Sequence, residues 1–115
     1  MVAYNPSVSL EAAFKALADR SRRNLLDRLF ANNGQTLNEL CAGQRMTRQA
    51  VTKHLAVLER ANLVSTIWRG REKLHYLNPV PIQQIADRSI SKYEGARLRA
   101  LADLRTQLGG EKQNE

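Results

Sequence analysis

Cysteine, proline and aromatic residues are scarce in this chain: one Cys, three Pro, and aromatics at only 5% of 115 residues. A single thiol, Cys41, excludes an intramolecular disulfide and fits a reducing compartment. With so few aromatics, the core must be built from Leu, Ile, Val and Ala, as in helical domains. No apolar run reaches the roughly eighteen residues of a membrane span. The N-terminus also lacks the basic stretch and apolar core of a secretory signal, so the expected location is the cytoplasm. Catalytic groupings are missing as well. No nucleophile stands beside a base, no carboxylates pair at helical spacing, and no glycine-rich loop is present to cradle phosphate. An enzyme is therefore not expected. Acidic residues are the last shortage: 11 Asp and Glu face 18 Lys and Arg, leaving a net charge of +7 that asks for a polyanionic partner.

The charge is not spread evenly. Residues 45–75 hold seven basic and two acidic side chains, five of the seven net positive charges. Phosphate neutralisation, which releases condensed counterions, gives a reason for that concentration, and nucleic acid is favoured over a membrane. Within this segment, Met46 to Ala61 reads as a short amphipathic helix. Val51, Leu55 and Leu58, with Ala50 and Ala61, form a stripe at three- and four-residue spacing that must be buried. Thr47 is placed to cap the helix. The opposite face carries Arg48, Gln49, Thr52 and Lys53 in its first two turns. Gln suits adenine, Arg and Lys suit guanine or phosphate, and Thr suits a phosphate or a thymine methyl. On its own, such a face is also what the solvated side of an ordinary surface helix looks like.

The flanking segments supply context. With 43% hydrophobic residues, the chain reads as one domain, 1–115, whose modest core makes dimerisation a natural supplement. A loose arm precedes Pro6, and Ser7 or Ser9 is positioned to cap a first helix over about 8–18, with Leu10, Ala13, Phe14, Leu17 and Ala18 as its apolar face. Asp19 offers a second cap. The helix it starts carries Leu25, Leu26, Leu29 and Phe30 inward, with Arg20, Arg22, Arg23 and Arg28 read mainly as a solvated face, and Asn32 to Gly34 stop it. Thr36-Leu37-Asn38-Glu39 is a capping box for a third, short helix that buries Leu37, Leu40 and Cys41 and is closed by Gly43. Helix, glycine-containing turn, helix is the helix-turn-helix layout. Beyond Asn62, a left-handed cap candidate, residues 63–69 and 72–77 read as two strands with Gly70 between them and Arg69, Arg71 and Lys73 at the tip. In that position a basic hairpin reads as a wing, with Arg71 able to enter the minor groove, or else as an exposed hairpin with solubilising charges. Pro81 launches a last helix to about Leu108, roughly 42 Å at 1.5 Å per residue. Its stripe of Ile82, Ile85, Ile90, Tyr93, Leu98, Leu101, Leu104 and Leu108 needs cover, from a second chain or by folding back, and Gly109 to Glu115 read as a polar tail.

Four stretches together resemble the ArsR/SmtB-type winged-helix repressors of bacteria. FKALADRSRRNLLDRL is similar to that family's first two helices, with Arg20 where a proline is usual. TLNELC followed by MTRQAVTKHLAVLERANLV resembles its helix-turn-helix, and GREKLHYLNP its wing. The stretch from Trp68 to Pro81 and IADRSISKYE resemble a subgroup often found beside START-superfamily proteins. The resemblance implies a mainly α fold of five helices with a β-hairpin wing. It also implies a homodimer joined through Leu10, Phe14 and Leu17 of the first helix and Tyr93, Leu98, Leu101, Leu104 and Leu108 of the last. Repression at an imperfect promoter palindrome of double-stranded DNA follows, with an unidentified inducer. Thr47, Arg48, Gln49, Thr52 and Lys53 would face DNA, with Arg69, Arg71 and Lys73 from the wing; for His54, a phosphate contact and a packing role are both open. Metal sensing does not carry over. Cys41 is followed by Ala42 and Gly43 where thiolate sensors need a second Cys, and the last helix holds Asp87 but no His, so neither metal nor cofactor is expected. The competing reading is a nucleic-acid or protein-interaction module that uses the same fold without operator specificity.

Overall fold

The computed structural model describes the backbone of residues 6–113 and the side chains of residues 10–108. Five helices and one hairpin follow one another: α1 (Pro6–Leu17), α2 (Arg20–Ala31), α3 (Leu37–Cys41), α4 (Arg48–Arg60), β1 (Val64–Arg69), β2 (Glu72–Leu77) and α5 (Val80–Gln113). The architecture is the mainly helical winged helix-turn-helix. Residues up to Gln83 form one compact unit, and the rest of α5 forms another.

Local sequence explains most boundaries. Asp19 caps α2 by accepting from the Arg22 N–H at 3.0 Å, which puts Arg20 at the first helical position. Proline is accepted at that position because its N–H would have no partner anyway, so an arginine in its place changes little. Thr36 and Glu39 form the full capping box of α3, and Thr47 caps α4 by accepting from the Ala50 N–H at 3.1 Å. Asn62, at φ 61°, turns the chain out of α4. At the hairpin tip Gly70 adopts φ +64° while Arg71 stays outside the left-handed region, the pattern of a two-residue turn with glycine at its first central position. The register pairs Val64 with Leu77 and Arg69 with Glu72.

The core of the first unit lies around α4, which meets α1, α2, α3 and β1. Leu25 and Leu29 of α2, Leu40 of α3, Val51 and Leu58 of α4, and Leu63 are all fully buried. Each fully buried aliphatic side chain contributes about 1.5–3 kcal/mol. Two polar residues are buried with them and extend the hairpin. The His75 N–H donates to the Gln35 carbonyl and the Gly34 N–H to the His75 carbonyl, both at 2.8 Å, so residues 34–35 pair along β2. The Gln35 amide donates to the Arg28 and Asn32 carbonyls at 2.9 and 2.7 Å, tying this bridge to the end of α2.

Several expectations are corrected. Ser7 and Ser9 lie inside α1, which starts at Pro6; the expected loose arm falls outside the described residues. The inward face of α1 is Ala13 and Ala16, so Phe14 is 50% exposed and Leu10 and Leu17 are half-buried. Small residues there let the helix approach α2 and α4 closely and rotate the larger side chains outward. Phe30 is 80% exposed. It sits one residue round from Leu29 in the last turn of α2, beyond the stripe that α4 and β2 cover. Leu37 and Cys41 are only half-buried, leaving Leu40 as the buried residue of α3. Where a polar tail was expected, α5 runs on through Gly109 and Gly110 to Gln113.

Candidate nucleic-acid interface

The N-terminal end of α4 stands clear of the core. Arg48, Gln49, Thr52 and Lys53, the four side chains read from the sequence as DNA-facing, line one shallow groove and are all exposed. Their freedom differs. Among the described residues, the Gln49 and Lys53 side chains make no hydrogen bond or ion pair, so both are available to a ligand. Arg48 donates from Nη1 to the Asn38 Oδ1 of α3, which holds the exposed guanidinium beside the first helix of the motif and commits one of its N–H groups. The Thr52 hydroxyl donates to the Arg48 carbonyl at 2.9 Å, one turn back, so its proton is already used.

The hairpin brings a second set of cations. Arg69 and Arg71 are exposed at its tip and, among the described residues, have no side-chain partner. Lys73 differs, because its Nζ lies 2.9 Å from Glu59 Oε1, an ion pair that pins the hairpin to α4. Its charge is therefore largely matched within the protein. Between α3, α4 and the hairpin a cleft of about 360 Å³ opens beside Arg48, Trp68 and Arg71. His54 is half-buried and stands apart from the groove: its Nδ1 is 3.5 Å from an Arg22 Nη, and Arg22 also reaches Asp19 at 4.0 Å. The packing alternative is the one its surroundings favour. Asp19 itself is held below the ordinary carboxylate range, first by the hydrogen bond from the Arg22 backbone, against a smaller opposing effect of desolvation, then by the Arg22 guanidinium.

Three arginines of α2, read from the sequence as mainly solvated, are structural. Arg28 donates to the carbonyls of Leu40 (2.9 Å), Ala42 (2.7 Å) and Glu39 (2.9 Å), capping the C-terminal end of α3. Arg22 reaches the Ala16 and Lys15 carbonyls at 2.7 and 3.0 Å, and Arg23 the Leu17 carbonyl at 2.7 Å, both at the end of α1. Helix ends leave carbonyls without partners, and a cation also suits the negative end of the dipole. For Arg22 and Arg23 the signal was local, since both follow the α1 terminus within a few residues. Arg28 acts 11 to 14 residues away and had no local signal.

On α5, Ile90, Tyr93, Leu98, Leu101, Leu104 and Leu108 are all at least half exposed. None of the described helices is long and apolar enough to cross a membrane.

A family model described as a helix-turn-helix domain matches residues 17–67, the stretch from the end of α1 to the middle of β1. The chain is 40% identical over 81 residues to the uncharacterized HTH-type transcriptional regulator YuzN of Bacillus subtilis, a match covering 65% of this chain and 88% of YuzN. Among solved structures, it is similar to an ArsR-like transcriptional regulator from Rhodococcus sp. RHA1, with a TM-score of 0.72 at 27% identity, covering 87% of this chain and 92% of that one. A second crystal structure, of an ArsR family transcriptional regulator, gives a TM-score of 0.70 at 27% identity and covers 77% of this chain and 97% of the other.

Proposed function

We propose, for a chain that belongs to the ArsR family of winged helix-turn-helix transcriptional regulators, that it is a dimeric, metal-independent repressor occupying a promoter palindrome in the bacterial cytoplasm. The observation that carries this reading is the pairing of a free amide with a free cation and a positioned arginine at one protruding helix end. Gln49 and Lys53 have no protein partner among the described residues, and Arg48 is held beside them by Asn38. A surface made only for phosphate needs Lys and Arg but gains nothing from Gln49; a base-reading surface uses it on adenine. Because the Thr52 hydroxyl proton is engaged, its methyl group is the part offered, which suits thymine.

In this reading α4 lies in the major groove, Thr47 and the α4 N-terminus contact a phosphate, and Arg71, with Arg69, follows the wing into the minor groove or along the backbone. Lys73 is assigned the lesser role of fixing the wing through Glu59. Phe14 of α1 and the exposed leucines of α5 support dimerisation, since apolar stripes of this length call for a second chain. Independence from metal is supported by the donors present: Cys41 is the only thiol, the Nδ1 of His75 is taken by the Gln35 carbonyl, and the Nδ1 of His54 lies against the Arg22 guanidinium. Repression then follows from occupancy of the promoter.

Fluorescence anisotropy with the DNA upstream of the gene and with a scrambled duplex, at two salt concentrations and with or without chelator, tests the proposal. Tight, chelator-insensitive preference for the upstream DNA is expected. Equal and steeply salt-dependent binding to both duplexes would overturn operator recognition and leave a module that recognises charge alone.

A further inference from the structure

We infer that the cleft between the recognition helix and the wing binds a small planar aromatic carboxylate bearing a hydroxyl group, and that this ligand releases the protein from DNA by occupying the same arginines. The release half of the inference rests on the operator-binding reading above; the binding half does not.

The cleft is built in layers. At about 360 Å³ it falls within the range of small-molecule sites. Leu37, Leu55 and Trp68 supply its apolar lining. Trp68 is 66% exposed and is not part of the buried core, so the indole of the chain's only tryptophan is open to a planar partner. Arg71 contributes a guanidinium with no partner among the described residues, and Arg48 a second with only one N–H committed, to Asn38. Guanidinium groups match a carboxylate in two-point geometry better than any other side chain does.

One further polar residue of the lining is buried. His75, only 4% exposed, is among the residues that line the cleft, and its Nδ1 lies 2.9 Å from the Gln35 carbonyl oxygen. A carbonyl only accepts, so Nδ1 is the donor of this bond and Nε2 is the ring nitrogen left for a ligand. Nε2 has no partner among the described residues and fits a ligand hydroxyl. Charge count selects the ligand's valence. Lys73 and Glu59 in the lining neutralise each other at 2.9 Å, and Glu72 offsets one of the two arginines. The net balance suits a monoanion and disfavours a phosphate or a nucleotide. Because Arg48 and Arg71 are also assigned to DNA, ligand and duplex exclude each other directly.

The test uses the full chain without DNA, titrated with 4-hydroxybenzoate while the fluorescence of Trp68 is followed; cyclohexanecarboxylate serves as the non-planar control. Saturable quenching by the aromatic acid and none by the control is expected. Trp68→Leu, at an exposed position outside the proposed DNA contacts, should weaken binding about ten-fold by calorimetry and leave DNA affinity unchanged. His75→Asn, which keeps a donor for the Gln35 carbonyl, should abolish the preference for 4-hydroxybenzoate over benzoate. In the competition arm, simple exclusion raises the apparent Kd for DNA about eleven-fold at ten times the ligand's own Kd. No saturation up to about 10 mM with 4-hydroxybenzoate, 3-hydroxybenzoate or indole-3-carboxylate, by a protein that still binds its upstream DNA, would overturn the site. Equal ligand affinity for free and DNA-bound protein would overturn release. Saturable quenching by a protein with no DNA preference would instead overturn the operator reading and leave the site standing.

Discussion

Replacing Arg28 with methionine keeps the stem that packs at the end of α2 and removes a guanidinium shared by three carbonyls of the helix-turn-helix. The bond to the Leu40 carbonyl is partly buried and water cannot replace it freely, so it is assigned about 2 kcal/mol, within the range for charged hydrogen bonds. The bonds to the Ala42 and Glu39 carbonyls are exposed, and at about 0.5 kcal/mol each they contribute less because water substitutes. Loss of a cation at a helix C-terminus adds about 0.5 kcal/mol. The total is about 3.5 kcal/mol, which at a urea slope near 1.5 kcal/mol/M moves the unfolding midpoint down by about 2.3 M. Arg28→Lys keeps the charge and at most part of the hydrogen bonding, so it should lose about half as much. Urea unfolding followed by far-UV circular dichroism, at one fixed protein concentration because self-association would make the midpoint depend on it, makes the comparison. If both variants stay within about 0.5 kcal/mol of the parent, the guanidinium does not cap α3 in solution and the reasoning fails.

Gln49→Ala should cost on the order of 1–3 kcal/mol at the cognate site and flatten discrimination among single-base operator variants; unchanged relative affinities would remove Gln49 from base reading. Arg71→Ala should weaken cognate and random duplexes alike and reduce the salt slope by about one unit, and a slope identical to the parent's would place the wing away from the phosphates. Asp19→Ala should lose about 1 kcal/mol at neutral pH. The folded-state pKa of Asp19 lies below its unfolded value, so the cap's contribution is present above the unfolded pKa and disappears as pH falls through the folded one. Melting curves of parent and variant should therefore converge in acid, and a gap that does not change with pH would refute the cap. Leu101→Glu together with Leu104→Glu, both at positions just over half exposed, should shift the protein to a monomer in sedimentation velocity while the helix signal per residue stays nearly constant. A dimer that survives both charges would relocate the interface.

Much of this protein follows from local chemistry. The caps at Asp19, Thr36 and Thr47, the left-handed exit at Asn62 and the glycine turn at Gly70 are interactions within three or four residues, and each is legible as a short pattern. The buried stripe of α4 and the exposed set Arg48, Gln49, Thr52 and Lys53 are likewise two faces of one helical period, readable without knowing what packs on them. Contacts that join distant segments are a different matter. That Arg28 closes α3, that Gln35 and His75 extend the hairpin, that Lys73 belongs to Glu59, and that α1 turns Ala13 and Ala16 inward instead of Phe14 depended on which segments meet in space. An arginine beside three carbonyls and an arginine in water have the same neighbours in sequence. Periodicity alone determined that α4 has a polar face. Which of those polar side chains remain free for a partner was decided by the tertiary fold, because every hydrogen bond made across the chain removes a donor or a charge from the surface.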